Sequence, residues 1–86
     1  YMINVRQLDS SNFEVTVKQE KTTKHLVAFT DDYFEEFKKH NAKITVIEDS
    51  FKFLLERENN VSILSKFNLR IIENFFPDYK NLKSKV

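Results

Sequence analysis

The chain has 86 residues, of which 41% are hydrophobic and 31% charged, and 14 Lys and Arg against 13 Asp and Glu give a formal charge of +1. This length predicts one domain, and the high charge density excludes a membrane span, which needs about 20 apolar residues in a row. There is no Cys and no Gly, which excludes disulfides, thiolate metal sites and glycine-rich phosphate loops. With no signal peptide visible at its start, the chain is expected to be cytoplasmic.

Alternating apolar and polar residues in the first third of the chain predict three β-strands, over about 2–8, 12–19 and 23–29. The second run is the clearest, since Phe13, Val15 and Val17 alternate with polar side chains. Because the connecting loops are short, the strands should pair as an antiparallel β-meander in the order 1-2-3. One face of this sheet would be apolar and would need a covering layer.

Apolar residues at helical spacing in the rest of the chain predict three to four helices, packed on one face of the sheet. Their approximate bounds are 31–40, 46–58, 61–67 and 69–76, with a last helical turn over 77–83. Thr30 or Asp31 can cap the first helix, and Thr45 with Glu48 matches a capping box for the second. Pro77 ends the fourth helix and can open the last turn. The sequence therefore predicts a single α+β domain, a three-stranded antiparallel meander followed by helices.

The residue types that carry chemistry do not form a recognisable site in the sequence. His25 shares a predicted strand face with apolar residues, which is typical of a packed histidine. His40 lies at the C-terminal end of a predicted helix, where a histidine interacts favourably with the helix dipole. The two are too far apart for a helical zinc site. We therefore predict a protein that is not an enzyme, with no catalytic residue, metal site or cofactor and no small-molecule substrate.

The predicted outward face of the sheet is basic. Arg6, Lys18 and Lys24 lie on it, and Glu14 is its only acid. Such a face can follow a row of phosphates, so a nucleic-acid-binding domain is an alternative function. The chain has no overall basic excess, however, and its strand aromatics alternate to the inner face rather than forming a stacking platform. A solvated Lys and Arg face is also the usual pattern of an antiparallel sheet.

The later helices carry more apolar residues than packing on one side requires. Phe53 widens the apolar stripe of the helix over 46–58, and Ile71 and Phe75 do the same over 69–76. Either the core surrounds these helices, or the surplus forms a surface for a protein partner or a second copy of the chain. The leading hypothesis is a small non-enzymatic interaction or regulatory module whose partner surface contains Phe53, Ile71 and Phe75.

Residues 50–79 read SFKFLLERENNVSILSKFNLRIIENFFPDY. This segment resembles one in a family of short bacterial proteins of unknown function, in which S-F-x-F-L-L-E-R-E leads through S-I-L and F-x-L to a phenylalanine-proline-acid-tyrosine ending. The matching residues are Ser50, Phe51, Phe53, Leu54, Leu55, Glu56, Arg57, Glu58, Ser62, Ile63, Leu64, Phe67, Leu69, Phe76, Pro77, Asp78 and Tyr79. The family often has Pro where this chain has Asn59. The resemblance implies a bacterial origin and a strands-then-helices layout, and it implies no activity and no functional residue.

Overall fold

A computed structural model describes residues 2–83 of the chain. Its strands are β1 (Met2–Gln7), β2 (Asn12–Lys18), β3 (Thr22–Ala28) and the short β4 (Lys66–Asn68). Its helices are α1 (Asp31–Phe34), α2 (Lys43–Leu55) and α3 (Ile72–Phe75), with 3-10 helices at Asn60–Ser62, Leu69–Ile71 and Pro77–Leu82. The α+β class predicted from the sequence is confirmed, but the sheet and several helices differ from the prediction.

The first three strands form the predicted antiparallel meander, with Val5 opposite Val15 and Val15 opposite His25. The fourth strand lies beside β3 in parallel, with Phe67 next to Val27, so the strand order is β1-β2-β3-β4. Parallel neighbours need a long crossover connection, and α1 and α2 provide it. The prediction of a purely antiparallel sheet of three strands is therefore wrong, because the sheet has a fourth strand and this strand is parallel to its neighbour.

The prediction of a helix over 61–67 is also wrong. The chain makes one 3-10 turn and then enters β4, where the amide of Leu26 donates to the carbonyl of Ser65 at 2.8 Å. The ring of Phe67 packs against Phe51, with the ring centroids 6.1 Å apart. A short apolar run is compatible with either a helix or a strand. Here pairing with β3 and burial against α2 favour the strand.

The first helix ends at Phe34 instead of residue 40. Thr30 caps it as predicted, accepting a hydrogen bond from the amide of Tyr33 at 3.4 Å. The next amides then bond three residues back, from Glu36 to Tyr33 and from Phe37 to Phe34. This tighter 3-10 pattern turns Phe37 into the core, where it is buried.

The other helices shift for local reasons. The second helix begins at Lys43, and Thr45 donates its hydroxyl to the carbonyl of Ala42, so the predicted capping box with Glu48 does not form. The segment over 69–76 divides into a 3-10 turn and α3, and Asn68 caps that turn by accepting from the amide of Arg70. Pro77 opens the last helical segment as predicted.

One hydrophobic core lies between the sheet and the helices. The inward sheet face is buried as predicted, through Phe13, Val15, Val17, His25, Val27 and Phe29. The ring of Phe29 meets Tyr33, Phe34 and Phe37 edge-on, at centroid distances of 5.9, 5.8 and 5.6 Å. This is the arrangement that aromatic rings prefer. The core is therefore organised around Phe29 at one end of the sheet.

An ion cluster fastens the end of the described chain to the segment after α1. The Lys83 ammonium lies 2.8 Å from both Glu36 and Glu73, and the Tyr33 hydroxyl donates to Glu73 at 3.0 Å. Burial by itself raises the pKa of Glu73. The hydrogen bonds from Lys83 and Tyr33 and the charge of Lys83 outweigh burial and hold this pKa below its ordinary value.

This cluster makes the fold sensitive to acid. Because the folded pKa of Glu73 is depressed, its contribution is complete above the unfolded value of about 4.3 and is lost as the pH falls through the folded pKa. We expect the free energy of unfolding, measured in urea, to fall between about pH 5 and pH 3, and to fall less in Glu73→Gln. Glu20→Gln, at an exposed hairpin position, should keep the wild-type slope. Equal slopes in all three chains would show that Glu73 has no such effect.

Candidate functional site

An apolar groove lies between the end of α2, the entry to β4 and α3. Its volume is about 230 Å³, which is below the roughly 300–1,000 Å³ of small-molecule sites and above the roughly 150 Å³ that holds a benzene molecule. Its apolar walls are made by Leu54, Ile63, Leu64, Phe67, Ile71 and Phe75, among others. The groove therefore has room for one large side chain rather than for a cofactor.

The 3-10 turn Leu69–Ile71 and α3 together form one wall of the groove, and one side chain on it, Phe75, is mostly exposed. Leu69 and Ile72 point into the core and are buried, whereas Phe75 is 64% exposed and Ile71 is half-buried. Ile71 and Phe75 are four residues apart and so share one side of the helical turn. Across the groove, Leu64 is 51% exposed. An exposed apolar rim thus surrounds an apolar depression.

Phe53 lies elsewhere. Its ring packs against Phe76 and Tyr79, with centroids 6.0 and 5.4 Å apart. The guanidinium of Arg57 covers it at 3.6 Å from the ring centroid and is itself held by Asp78 at 2.7 Å. Of the three residues predicted for a partner surface, the structure brings Ile71 and Phe75 together on the groove and places Phe53 in the packing between α2 and the last 3-10 helix.

The sequence prediction missed the opposite wall of the groove. Leu64, Phe67 and Glu58 line it, but the prediction made residues 61–67 a helix of the layer packed on the sheet and placed none of the three in a partner surface. The signal present in the sequence is the alternation of polar and apolar residues from Lys66 to Leu69, which is the period of a strand.

Two buried polar side chains fix this wall. The His25 ring lies with Nδ1 2.7 Å from the Leu64 carbonyl and Nε2 2.8 Å from the Thr23 hydroxyl. Because a carbonyl only accepts, Nδ1 carries a proton and donates it to Leu64. Asn60 donates to the Thr23 hydroxyl at 3.0 Å and to the Lys21 carbonyl at 2.7 Å. His25 is thus packed in the core as predicted, and it also positions Leu64 through a hydrogen bond to the Leu64 carbonyl.

His40 forms the one arrangement of the described residues that resembles a catalytic pair. Its Nε2 lies 2.9 Å from Asp49. Its Nδ1 is buried, and no described residue hydrogen-bonds to it. Both residues line a depression with Thr45 and Leu82, but Nε2 is occupied by Asp49 and Nδ1 is buried, so neither ring nitrogen is presented to it. The pair links the end of the α1 region to α2.

The basic residues of the sheet lie on its outer face. Lys24 is opposite Thr16, and Lys18 is opposite Thr22. Arg6 is 3.0 Å from Glu14, which reduces its availability for a phosphate. The strand β4 adds Lys66 to the same face, because Lys66 lies beside Leu26 in the row that contains Arg6 and Glu14.

Within residues 2–83, no three or more His, Asp and Glu side chains are grouped so that they could hold a metal ion. No helix in the same range has the length and apolar character needed to cross a bilayer. Comparisons with protein-family models, with curated proteins and with solved structures find no match to this chain. The resemblance of residues 50–79 to short bacterial proteins therefore stays a prediction, and the surface chemistry is what bears on function.

Proposed function

We propose that the chain is a small non-enzymatic protein-interaction module, whose groove beside α3 binds an apolar segment of a partner protein or of a second copy. The observation that carries this proposal is the 64% exposure of Phe75 at the rim of an apolar depression. Burying a Phe side chain contributes about 1.5–3 kcal/mol, which is the size of a binding hot spot. Large exposed apolar side chains around a concave site are typical of interaction surfaces.

The rigidity of the groove supports the same proposal. Leu64 is held through its carbonyl by His25, and Phe67 is held by pairing of β4 with β3 and by its contact with Phe51. A preformed site loses less conformational entropy when a partner binds. The exposed rim therefore belongs to a fixed surface rather than to a loop that must first become ordered.

Selection from a displayed library of random peptides, with the folded chain immobilised, tests this function. We expect enriched peptides that bind the wild-type chain and lose at least about ten-fold in affinity on Phe75→Ser, the change expected when a hot spot is removed. The control is Leu8→Ser, at an apolar position that is 45% exposed and lies in the β1–β2 loop. Failure to enrich any peptide, or peptides that bind Phe75→Ser and wild type equally, would contradict the proposal.

Nucleic-acid binding through the outer sheet face is a second candidate, favoured by the addition of Lys66 to the face that carries Arg6, Lys18 and Lys24. It predicts a gel-mobility shift of a single-stranded oligonucleotide that weakens steeply between about 50 and 200 mM salt. The double variant Lys18→Glu/Lys24→Glu should abolish the shift, and Lys39→Glu, at an exposed position after α1, should not. No shift at low salt would remove this candidate.

A further inference from the structure

We infer that the segment bound in the groove carries a lysine or arginine next to its large apolar anchor, and that Glu58 receives this cation. The inference rests on the proposed function and adds the chemistry of the partner. Glu58 is half-buried and lines the groove, and among the described residues no basic side chain lines it. Glu58 makes no ion pair within residues 2–83, which distinguishes it from most of the acids on the later part of the fold.

Basic side chains close to the groove pair with acids other than Glu58. Arg57 is adjacent in sequence but is directed to Asp78 and lies over the Phe53 ring, away from the groove. Glu73 and Glu36 are both satisfied by Lys83. Arg57, Arg70 and Lys83 are thus paired with other acids, and Glu58 is the charged side chain that the described residues contribute to the groove wall.

A partner that covers the groove must also take water from Glu58. Removing a carboxylate from water is costly unless a cation or hydrogen-bond donors replace that water. A bound segment with a basic residue at this position compensates the loss, whereas an acidic segment is repelled. Charges placed in this way select among partners more than they add affinity.

The volume of the groove limits the size of the apolar side chain that the partner can insert. A volume of about 230 Å³ admits one aromatic or large aliphatic side chain, since roughly 150 Å³ already holds benzene. Ile71, Phe75 and Leu64 would surround that anchor, and Glu58 would meet the basic group. The recognised feature is therefore a short segment in which a large apolar residue and a basic residue lie on the same side.

Two small probes of equal length separate the apolar and the charged parts of this recognition. 3-Phenylpropylamine and 3-phenylpropionate carry the same phenyl group and opposite charges. Titrated into the ¹⁵N-labelled chain, both should shift the amide signals of the groove, around Leu64, Ile71 and Phe75. We expect the amine to bind roughly five-fold more tightly than the carboxylate, a difference typical of partly exposed ion pairs. This difference should shrink in high salt.

Glu58→Gln should bring the two affinities together, and Glu56→Gln should leave the difference unchanged, because Glu56 is exposed, does not line the groove and pairs with Arg57. If the two probes bind the wild-type groove equally, or if Glu58→Gln keeps the difference, the basic partner is ruled out while the apolar docking site stands. If neither probe shifts the groove signals, the docking site itself is ruled out as well.

Discussion

Phe29→Ala is expected to destabilise the fold by about 3–5 kcal/mol, the cost of removing a fully buried aromatic ring. The ring is completely buried and contacts Phe13, Tyr33, Phe34 and Phe37. A chain of this length has a free energy of unfolding of about 5–10 kcal/mol. The variant should therefore lose from about a third to all of its stability, which urea denaturation followed by circular dichroism would measure.

The matched control is the same substitution at the groove. Phe75→Ala should change the free energy of unfolding by less than about 1 kcal/mol, because the side chain is 64% exposed. The contrast between two Phe→Ala variants separates core from surface in one experiment. Similar losses at both positions would mean that Phe75 belongs to the core, and the apolar rim would not exist.

Asn60→Ala is expected to cost about 2–4 kcal/mol, although it removes no apolar contact. The NH₂ group of Asn60 donates its two hydrogens to the carbonyl of Lys21 and the hydroxyl of Thr23, with the carbonyl of Val17 as a longer, shared contact at 3.3 Å, and the residue is 3% exposed. Each buried acceptor that loses its donor costs about 1–3 kcal/mol, and the longest of these bonds contributes least.

Asn59→Ala is the control, since Asn59 is exposed and should change stability by less than about 0.5 kcal/mol. Hydrogen exchange should show where the loss occurs. Faster exchange in the β2–β3 hairpin and at Leu64 is expected in Asn60→Ala, because Asn60 joins these two regions through Thr23 and His25. A variant as stable as the wild type would contradict the role assigned to this side chain.

The parts of the fold that depend on local patterns were predictable from the sequence. Alternation at Phe13, Val15 and Val17 identifies a strand because a strand exposes one face to the core at every second residue. Thr30 and Pro77 act within one or two turns of their own position. None of these features requires knowledge of a distant partner.

The parts that were not predictable depend on distant contacts. Residues 66–68 are a strand because β3 lies beside them, and the alternation from Lys66 to Leu69 is too short to separate a strand from a helix by itself. Asn60 resembles a helix terminator in sequence, and its partners are about forty positions away. Phe53 and Phe75 have the same chemistry on a helical wheel, and only the position of Arg57 and Tyr79 shows which one is covered.

The candidate site combines residues that local sequence patterns predict with residues that only distant contacts bring to the groove. Ile71 and Phe75 were predicted from the surplus of apolar residues over 69–76, which the sequence displays directly. Leu64 and Glu58 became part of the site only when β4 placed its entry loop across from α3. The presence of the Glu58 carboxylate beside these apolar side chains is therefore a feature of the groove that only the three-dimensional fold reveals.

The most direct test of the central claim measures whether the apolar rim is open in the isolated chain. The sequence contains no Cys, so Phe75→Cys and Ser50→Cys each create one unique thiol, the second at a position that is fully buried. Reaction with a disulfide reagent depends on access to the thiol. In dilute monomeric protein, we expect the first to react nearly as fast as the unfolded chain and the second at least roughly 100-fold more slowly. Equal protection of both thiols would contradict an open groove.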